Sequence, residues 1–198
     1  MKSLNEYTNH LNESDIESTS EFVNCINKYT NDNFGADCVK VITSYKDTEN
    51  KFTKSKYGKY CFRGMFFNNM TPEKVKKLIE TLPKKYKMDN IESWSSDYQE
   101  ALIFAGGKSI YDVDRIDADE YKLVEEMDST QCGVILKMEN LDTKDVVFDA
   151  EHYLEDSNTK ENIRIMEDRE LIIKKKSNPK LYIFMLLYNG NVEYEIGQ

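Results

Sequence analysis

The chain contains 198 residues, with 27 lysines and arginines against 36 aspartates and glutamates, a formal net charge of -9 and 12% aromatic residues. This length predicts a single domain, and the aromatic content excludes a disordered chain. The longest apolar run, residues 181–188, is far shorter than the roughly 20 residues that a membrane-spanning helix needs. An acidic surface also repels the phosphates of nucleic acids. Composition therefore disfavours both a membrane and a nucleic acid as partners.

Several kinds of functional site are excluded by residues that the sequence lacks. It has two histidines and no HExxH motif, which argues against a histidine-built metal site. None of its eight glycines belongs to a GxGxxG or Walker-type motif, so a nucleotide would bind without a Rossmann or P-loop cradle. The opening residues are polar and contain no apolar secretory core. We therefore expect a cytoplasmic protein.

The four cysteines are widely spaced, and no two of them form a CxxC pair. In a reducing cytosol, such residues are expected to be buried free thiols. This expectation applies to Cys25, Cys38, Cys61 and Cys132.

The first third of the chain is predicted to be helical. Residues 1–14 are a polar segment that we expect to be frayed, and residues 46–58 are polar and turn-rich. Residues 59–64 then predict a strand that ends in the charged Arg63. Between the two polar segments, apolar residues recur at helical spacing: Phe22, Val23, Ile26 and Tyr29, then Val39, Ile42 and Tyr45.

The middle of the chain is predicted to alternate between helix and strand. Thr71 and Pro72 are a favourable N-cap and first helical residue. Residues 91–95 alternate as in a strand. Directly after them, Ser96 and Gln99 match a capping box, in which the serine is the N-cap of the next helix. The chain is therefore expected to turn sharply from strand into helix at this point.

The last third of the chain is predicted to consist mainly of strands. Residues 108–130 are the most acidic stretch, which is typical of a solvated loop or a partner surface. Helices first and strands later predict an α+β fold with a mostly antiparallel sheet, formed by one domain over residues 1–198. The apolar runs that predict the strands are residues 133–138, 146–149, 171–173 and 181–188.

Three features place polar groups where a plain strand would not have them. Arg63 precedes Gly64, which permits close backbone approach by a ligand. A serine-rich cluster, residues 93–96, occupies the strand-to-helix junction. Asp168 and Glu170 lead into an apolar strand, and their spacing of two puts both on one face, roughly 7 Å apart at the usual strand rise. Each feature alone has an ordinary explanation as a surface cation, a helix cap or edge charges.

Taken together and in this order, the three features resemble the mono-ADP-ribosyltransferases of the R-S-E type, in particular their small phage-encoded and bacterial toxin members. The family pattern is an aromatic strand ending in arginine, a serine-rich strand entering a helix, and Glu-or-Gln-x-Glu before an apolar strand. In this chain the matching segments are Tyr60-Cys61-Phe62-Arg63-Gly64-Met65, Ser93-Trp94-Ser95-Ser96-Asp97 and Asp168-Arg169-Glu170.

The resemblance implies N-terminal helices with a two-sheet β core that encloses an NAD cleft, with NAD+ as substrate and no metal. Glu170 is then the catalytic glutamate, which contacts the ribose 2′-hydroxyl and stabilises a ribosyl cation. Arg63 holds the phosphates of NAD+, and the Gly64 backbone meets the nicotinamide amide. Ser93 and Ser95 brace Glu170 and the sugar.

The resemblance also covers three further positions. Ser96 belongs to the serine strand that faces NAD+. Phe104 is a candidate to line the cleft, although a core position is the ordinary expectation. Asp168 stands where the family has Glu or Gln to orient an attacking guanidinium. The side chain of aspartate is roughly 1.5 Å shorter than that of glutamate or glutamine. Arginine specificity is therefore open, and Glu167 is an alternative partner. Residues 152–167 match the target-recognition turn of the family.

The function implied is transfer of ADP-ribose onto a cytosolic host protein, at arginine, in a phage–host or toxin context. An inhibitor or antitoxin is the further partner expected for a bacterial toxin. Two alternatives stay open. The acceptor could be a nucleic acid base, which the net charge of -9 disfavours. Otherwise the chain could be a non-catalytic binding module that blocks a host protein through the acidic residues 108–130.

Overall fold

The computed structural model describes residues 13–30, 35–46, 59–107, 127–150 and 170–196. Within these ranges the chain is α+β, as predicted, and none of the helices there is long and apolar enough to cross a membrane. The helices are α1 (Glu13–Thr30), α2 (Ala36–Ser44), α3 (Pro72–Lys85) and α4 (Tyr98–Phe104). The strands are β1 (Tyr60–Phe67), β2 (Ile91–Ser95), β3 (Cys132–Glu139), β4 (Val146–Asp149), β5 (Glu170–Lys174), β6 (Lys180–Tyr188) and β7 (Asn191–Ile196).

The strands form one sheet in the order β4-β5-β2-β1-β3-β6-β7, and all neighbours are antiparallel. The predicted antiparallel character is confirmed, whereas the two expected sheets are joined into one. β1 and β2 share a single register pair, Phe62 with Ser95, while β1 and β3 pair along their whole length. We call this single pair the seam, because it divides the sheet into a β4-β5-β2 half and a β1-β3-β6-β7 half.

Helices α1 and α2 cover one face of the β4-β5-β2 half. Phe22 and Ile26 of α1 are buried in the same cluster as Ile42 of α2 and Ile172 of β5. The Phe22 ring also stacks on Tyr45, just after α2, with ring centroids 4.1 Å apart. The apolar stripes predicted in the first third of the chain are therefore buried against the sheet.

A disulfide bond between Cys25 and Cys38 joins α1 to α2. The expectation of free thiols is therefore wrong for this pair, and it is confirmed for Cys61 and Cys132, which are buried and free. The two bonded cysteines are separated by 13 positions in different helices, and only helix packing brings their Cα atoms to 5.1 Å. Disulfides are rare in a reducing cytosol, and the expected cytoplasmic location stays a prediction.

Helix α3 packs on the opposite face of the sheet. As predicted, Thr71 is its N-cap, and the threonine hydroxyl accepts a hydrogen bond from the Lys74 amide at 3.4 Å. Val75 is buried in a cluster with Trp94 of β2 and Leu171 of β5. Alternate residues of β2 and β5 thus face α3 on one side and the α1–α2 pair on the other.

Helix α4 lies on the same face as α1 and α2, across β1 and β3, and its packing is unusually close. A Cβ atom at Gly64 would lie 1.8 Å from the carbonyl oxygen of Ala101. A Cβ atom at Gly133 would lie 2.0 Å from the carbonyl oxygen of Ala105. Both strand positions therefore need glycine so that the helix backbone can touch the sheet.

Two predicted boundaries are wrong. Strand β1 does not end at Arg63 but continues to Phe67, because its pairing with β3 extends that far. Arg63 therefore lies in mid-strand. The N-cap of α4 is Asp97 and not Ser96, because the Asp97 carboxylate accepts a hydrogen bond from the Gln99 amide at 3.0 Å.

Candidate active site

The seam brings together residues from the three sequence features on adjacent strands. Ser95 lies opposite Phe62 of β1 on one side and opposite Glu170 of β5 on the other. Arg63 follows Phe62 in β1, and Ser93 is two residues before Ser95 in β2. Residues that are far apart in the sequence therefore meet on three adjacent strands.

Glu170 begins β5 and is almost completely buried, with 4% of its surface exposed. Ser93 and Ser95 point to one face of β2, and Glu170, directly opposite Ser95, points to the same face. The Ser95 hydroxyl accepts a hydrogen bond from the Asp97 amide at 3.0 Å, which orients it at the turn into α4. The buried carboxylate is therefore flanked by hydroxyl-bearing side chains.

Tyr29 of α1 adds a third hydroxyl, although the sequence indicated only that it belongs to the apolar face of a helix. Its hydroxyl lies 2.9 Å from that of Ser93. Burial raises the pKa of Tyr29, the hydrogen bond with Ser93 opposes this change, and the negative charge of Glu170 adds to it. The phenol therefore lies close enough to the carboxylate to be influenced by its charge. The polar tip of Tyr29 was the sequence signal that distinguished it from the rest of the stripe.

Arg63 of β1 extends to the backbone of β2 and is 31% exposed. Its Nη1 atom donates a 2.6 Å hydrogen bond to the carbonyl oxygen of Ser93 and lies 3.8 Å from Oε2 of Glu92. Both contacts use one nitrogen, so Nη2 and Nε are the donors that the described part of the chain leaves for a ligand. Such a guanidinium edge suits a phosphate or a carboxylate.

Glu92 is a second buried carboxylate, 4% exposed, and sequence reasoning missed it. It accepts hydrogen bonds from the Tyr86 hydroxyl (2.8 Å), the Trp94 indole (3.2 Å) and the Asp89 amide (2.7 Å). Burial raises the pKa of Tyr86, an effect that Arg63 opposes and Glu92 reinforces. The sequence did contain a signal, because Glu92 alternates with Trp94 in the predicted strand and must share its buried face.

The other described site residues have different surroundings. Gly64 is explained by the close packing of α4 and not by ligand approach, so its contact with a nicotinamide amide stays a prediction. Ser96 is buried where β2 leads into α4. Phe104 ends α4 beside Gly64 and is 56% exposed. The core position expected for Phe104 is therefore wrong, and its place in a cleft stays a prediction.

Some predicted features lie outside the described residues. They are Asp168 with its alternative Glu167, the turn at residues 152–167, residues 108–126 of the acidic stretch, and the polar segments at residues 1–12 and 47–58. In the ranges that are described, no group of three or more His, Cys, Asp or Glu side chains could hold a metal ion.

Comparison of the chain with protein-family models, with curated proteins and with solved structures gave no match. The geometry at the seam is therefore the basis for assigning its chemistry. It combines an accessible guanidinium edge, which can bind an anion, with hydroxyls and a buried carboxylate, which can contact a sugar. In a site with little solvent to screen it, such a carboxylate also stabilises positive charge that develops beside it.

Proposed function

We propose that this protein is an NAD-dependent mono-ADP-ribosyltransferase that modifies arginine on a cytosolic host protein, as a phage effector or a bacterial toxin. The observation that carries the proposal is the meeting of Arg63, Ser95 and Glu170 on three adjacent strands. These are the arginine, the serine and the glutamate to which the R-S-E resemblance assigns the binding of NAD+ and the catalysis. The seam between the two halves of the sheet is the proposed site for NAD+.

The side chains at the seam fit the chemical groups of NAD+. Its diphosphate needs a cation that can form paired hydrogen bonds, and the Nη2 and Nε donors of Arg63 meet that need. Its ribose hydroxyls need polar partners, and the hydroxyls of Ser93, Ser95 and Tyr29 come from the strand and helix next to Glu170. This combination supports NAD+ over a ligand that is purely apolar or purely anionic.

Glu170 has the chemical role in the proposed reaction. When the bond between nicotinamide and ribose C1′ breaks, its electron pair goes to the nicotinamide nitrogen, and positive charge develops on the ribose. The Glu170 carboxylate stabilises that charge and accepts a hydrogen bond from the ribose 2′-hydroxyl. An arginine nitrogen of the acceptor then bonds to C1′ and releases a proton to solvent. The products are nicotinamide and ADP-ribosylated arginine.

The acceptor is held by other carboxylates in this proposal. Asp168, or Glu167 in its place, orients the attacking guanidinium, because a carboxylate matches a guanidinium in charge and in paired hydrogen bonds. The net charge of -9 favours the approach of a basic protein segment. Both considerations support a protein acceptor over a nucleic acid.

Incubation of the purified protein with labelled NAD+ and host-cell lysate tests the proposal. We expect label on protein, and we expect Glu170→Gln to lower the rate of transfer by about 100-fold to 1,000-fold, the usual effect of removing one electrostatic stabiliser. Glutamine preserves the size of the side chain, so circular dichroism should show an intact fold. The matched control is Glu139→Gln, because Glu139 pairs with Lys180 at the surface, away from the seam.

The label itself distinguishes the acceptors. Release by neutral hydroxylamine would support arginine, and label that resists protease but disappears with nuclease would identify a nucleic acid base. If wild-type protein gives no label, and wild type and Glu170→Gln act identically in cells, the enzymatic proposal is wrong. A non-catalytic binding module would then be the better description.

A further inference from the structure

A polar network on the α3 side of β2 is not used by the proposed reaction. Its centre is Glu92, which accepts hydrogen bonds from Tyr86, from Trp94 and from the Asp89 amide. The donors lie in β2 and in the segment that connects α3 to it. A buried carboxylate is costly unless several donors compensate for its lost hydration. Three donors do so here, and they also hold the carboxylate in one orientation.

The same network reaches Arg63. Oε2 of Glu92, which accepts from both Tyr86 and Trp94, is the atom 3.8 Å from Nη1 of Arg63. The carbonyl oxygen of Ser93 binds the same Nη1 atom. Because a guanidinium is planar, the hydrogen bond to Ser93 and the nearby charge of Glu92, both at Nη1, also favour one direction of the Nη2 and Nε edge.

We propose that Glu92 is a positioning residue that orients Arg63 toward the anionic part of NAD+. The identity of the ligand rests on the proposed function. Glu92 itself is not available to the ligand, because Tyr86, Trp94 and the Asp89 amide occupy its carboxylate oxygens. Glu92 therefore acts through Arg63.

The chain provides its own reporter for this network. Trp94 is the single tryptophan, is 2% exposed, and donates its indole hydrogen bond to Glu92. An anion that binds Arg63 changes the charge next to Glu92. We therefore expect inorganic pyrophosphate to change the emission of Trp94 in the wild-type protein.

The decisive variant is Glu92→Gln, which removes the charge and keeps the shape. We expect it to weaken pyrophosphate binding by about tenfold, which is typical of directly coupled residues. We also expect the KM for NAD+ to rise by about tenfold, while kcat changes by less than about twofold. The matched control is Glu139→Gln, which removes a carboxylate paired with Lys180 at the surface. We expect both measurements to stay unchanged in the control.

A double-mutant cycle separates positioning from a purely structural role. If Glu92 acts through Arg63, then Glu92→Gln causes no further loss of pyrophosphate or NAD+ affinity in an Arg63→Ala background. An equal loss in both backgrounds, together with a lower Tm, would overturn the proposal. If Glu92→Gln does not fold, Tyr86→Phe replaces it, because it removes one donor and keeps the charge. We then expect a loss of affinity of about threefold.

Failure of the positioning role and failure of the transferase proposal give different results. Unchanged affinities in Glu92→Gln, with label transfer intact, would overturn the positioning role alone. An absence of label transfer, with pyrophosphate binding that depends on both Arg63 and Glu92, would overturn the transferase and support the positioning role.

Discussion

The two helical layers on one face of the sheet are held in different ways. Helix α4 touches β1 and β3 backbone to backbone, and Gly64 and Gly133 make this approach possible. Helices α1 and α2 contact the other half through side chains such as Phe22 and Ile26. Their disulfide ties the two helices to each other and not to the sheet.

This difference matters because the candidate site lies where the two layers meet. The α4 layer fixes the strand that carries Arg63, whereas the α1–α2 layer contributes Tyr29, which contacts Ser93. Side chains can repack around a change, but a backbone contact cannot relax without moving a whole element. We therefore expect changes beneath α4 to disrupt the fold, and changes in the α1–α2 layer to alter the site while the fold survives.

The largest effect on stability is expected beneath α4. Gly64→Ala would place a Cβ atom 1.8 Å from the Ala101 carbonyl oxygen and 2.8 Å from the Ala105 amide nitrogen. Overpacking typically costs roughly 1–3 kcal/mol, and backbone atoms yield less than side chains. We therefore expect the free energy of unfolding in urea to fall by about 3 kcal/mol or more.

Gly35→Ser is the matched control for this prediction. Gly35 is the N-cap of α2, and a Cβ atom there would meet nothing within 4 Å. Serine is also a favoured N-cap residue, so no loss of stability is expected. If Gly64→Ala were as stable as the control, backbone contact would not be what holds α4.

A smaller effect is expected from opening the disulfide of the α1–α2 layer. The bond joins cysteines separated by 13 positions, and closing a loop of this size stabilises a protein by about 2–3 kcal/mol. We expect dithiothreitol to lower the free energy of unfolding by this amount. A variant with both Cys25→Ala and Cys38→Ala should show no response to the reductant.

Thiol counting tests the bond directly. In denaturant without reductant, only Cys61 and Cys132 are expected to react, and all four cysteines should react after reduction. In the folded protein, burial raises the pKa of Cys132 to about 11 and also raises that of Cys61. Because the thiolate is the reactive form, both should react slowly before unfolding. Four reactive thiols before reduction would contradict the bond.

The sequence predicted the elements whose signals are local. The stripe through Phe22 and Ile26 and the N-cap at Thr71 each depend on a few neighbouring residues, and the structure contains both. The joining of the sheet halves depends on one pair, Phe62 with Ser95. Such a tertiary contact leaves no local signal, and the same is true of the disulfide.

For the candidate site, the order of the motifs indicated which residues meet but not what supports them. Arg63, Ser95 and Glu170 lie together at the seam. Glu92 and Tyr29 were missed because their local signals, a strand face and a polar ring tip, do not identify the charged neighbour that packing puts beside each of them. Alternation along a strand predicts which face of the sheet a side chain points to. Which residue of another helix or strand it contacts there depends on the tertiary fold.

The smallest effect is expected where the α1–α2 layer touches the site. Tyr29→Phe removes the hydroxyl 2.9 Å from that of Ser93 and keeps the ring. An intramolecular hydrogen bond contributes about 1 kcal/mol, so we expect a loss of this size in the free energy of unfolding at neutral pH. Tyr60→Phe, at an exposed position of β1, is the matched control and should show no loss.

The pH dependence of this loss shows whether the Tyr29 hydroxyl is buried. Burial is the main cause that raises its pKa above the ordinary value of about 10. Above that pH the unfolded chain loses the phenol proton first, so it binds fewer protons than the folded protein, and stability falls as pH rises. Phenylalanine has no such proton, so the difference in unfolding free energy between wild type and Tyr29→Phe should shrink between about pH 7 and about pH 11. A difference that stays constant would mean that this hydroxyl is solvated, and α1 would then cover the sheet without taking part in the site.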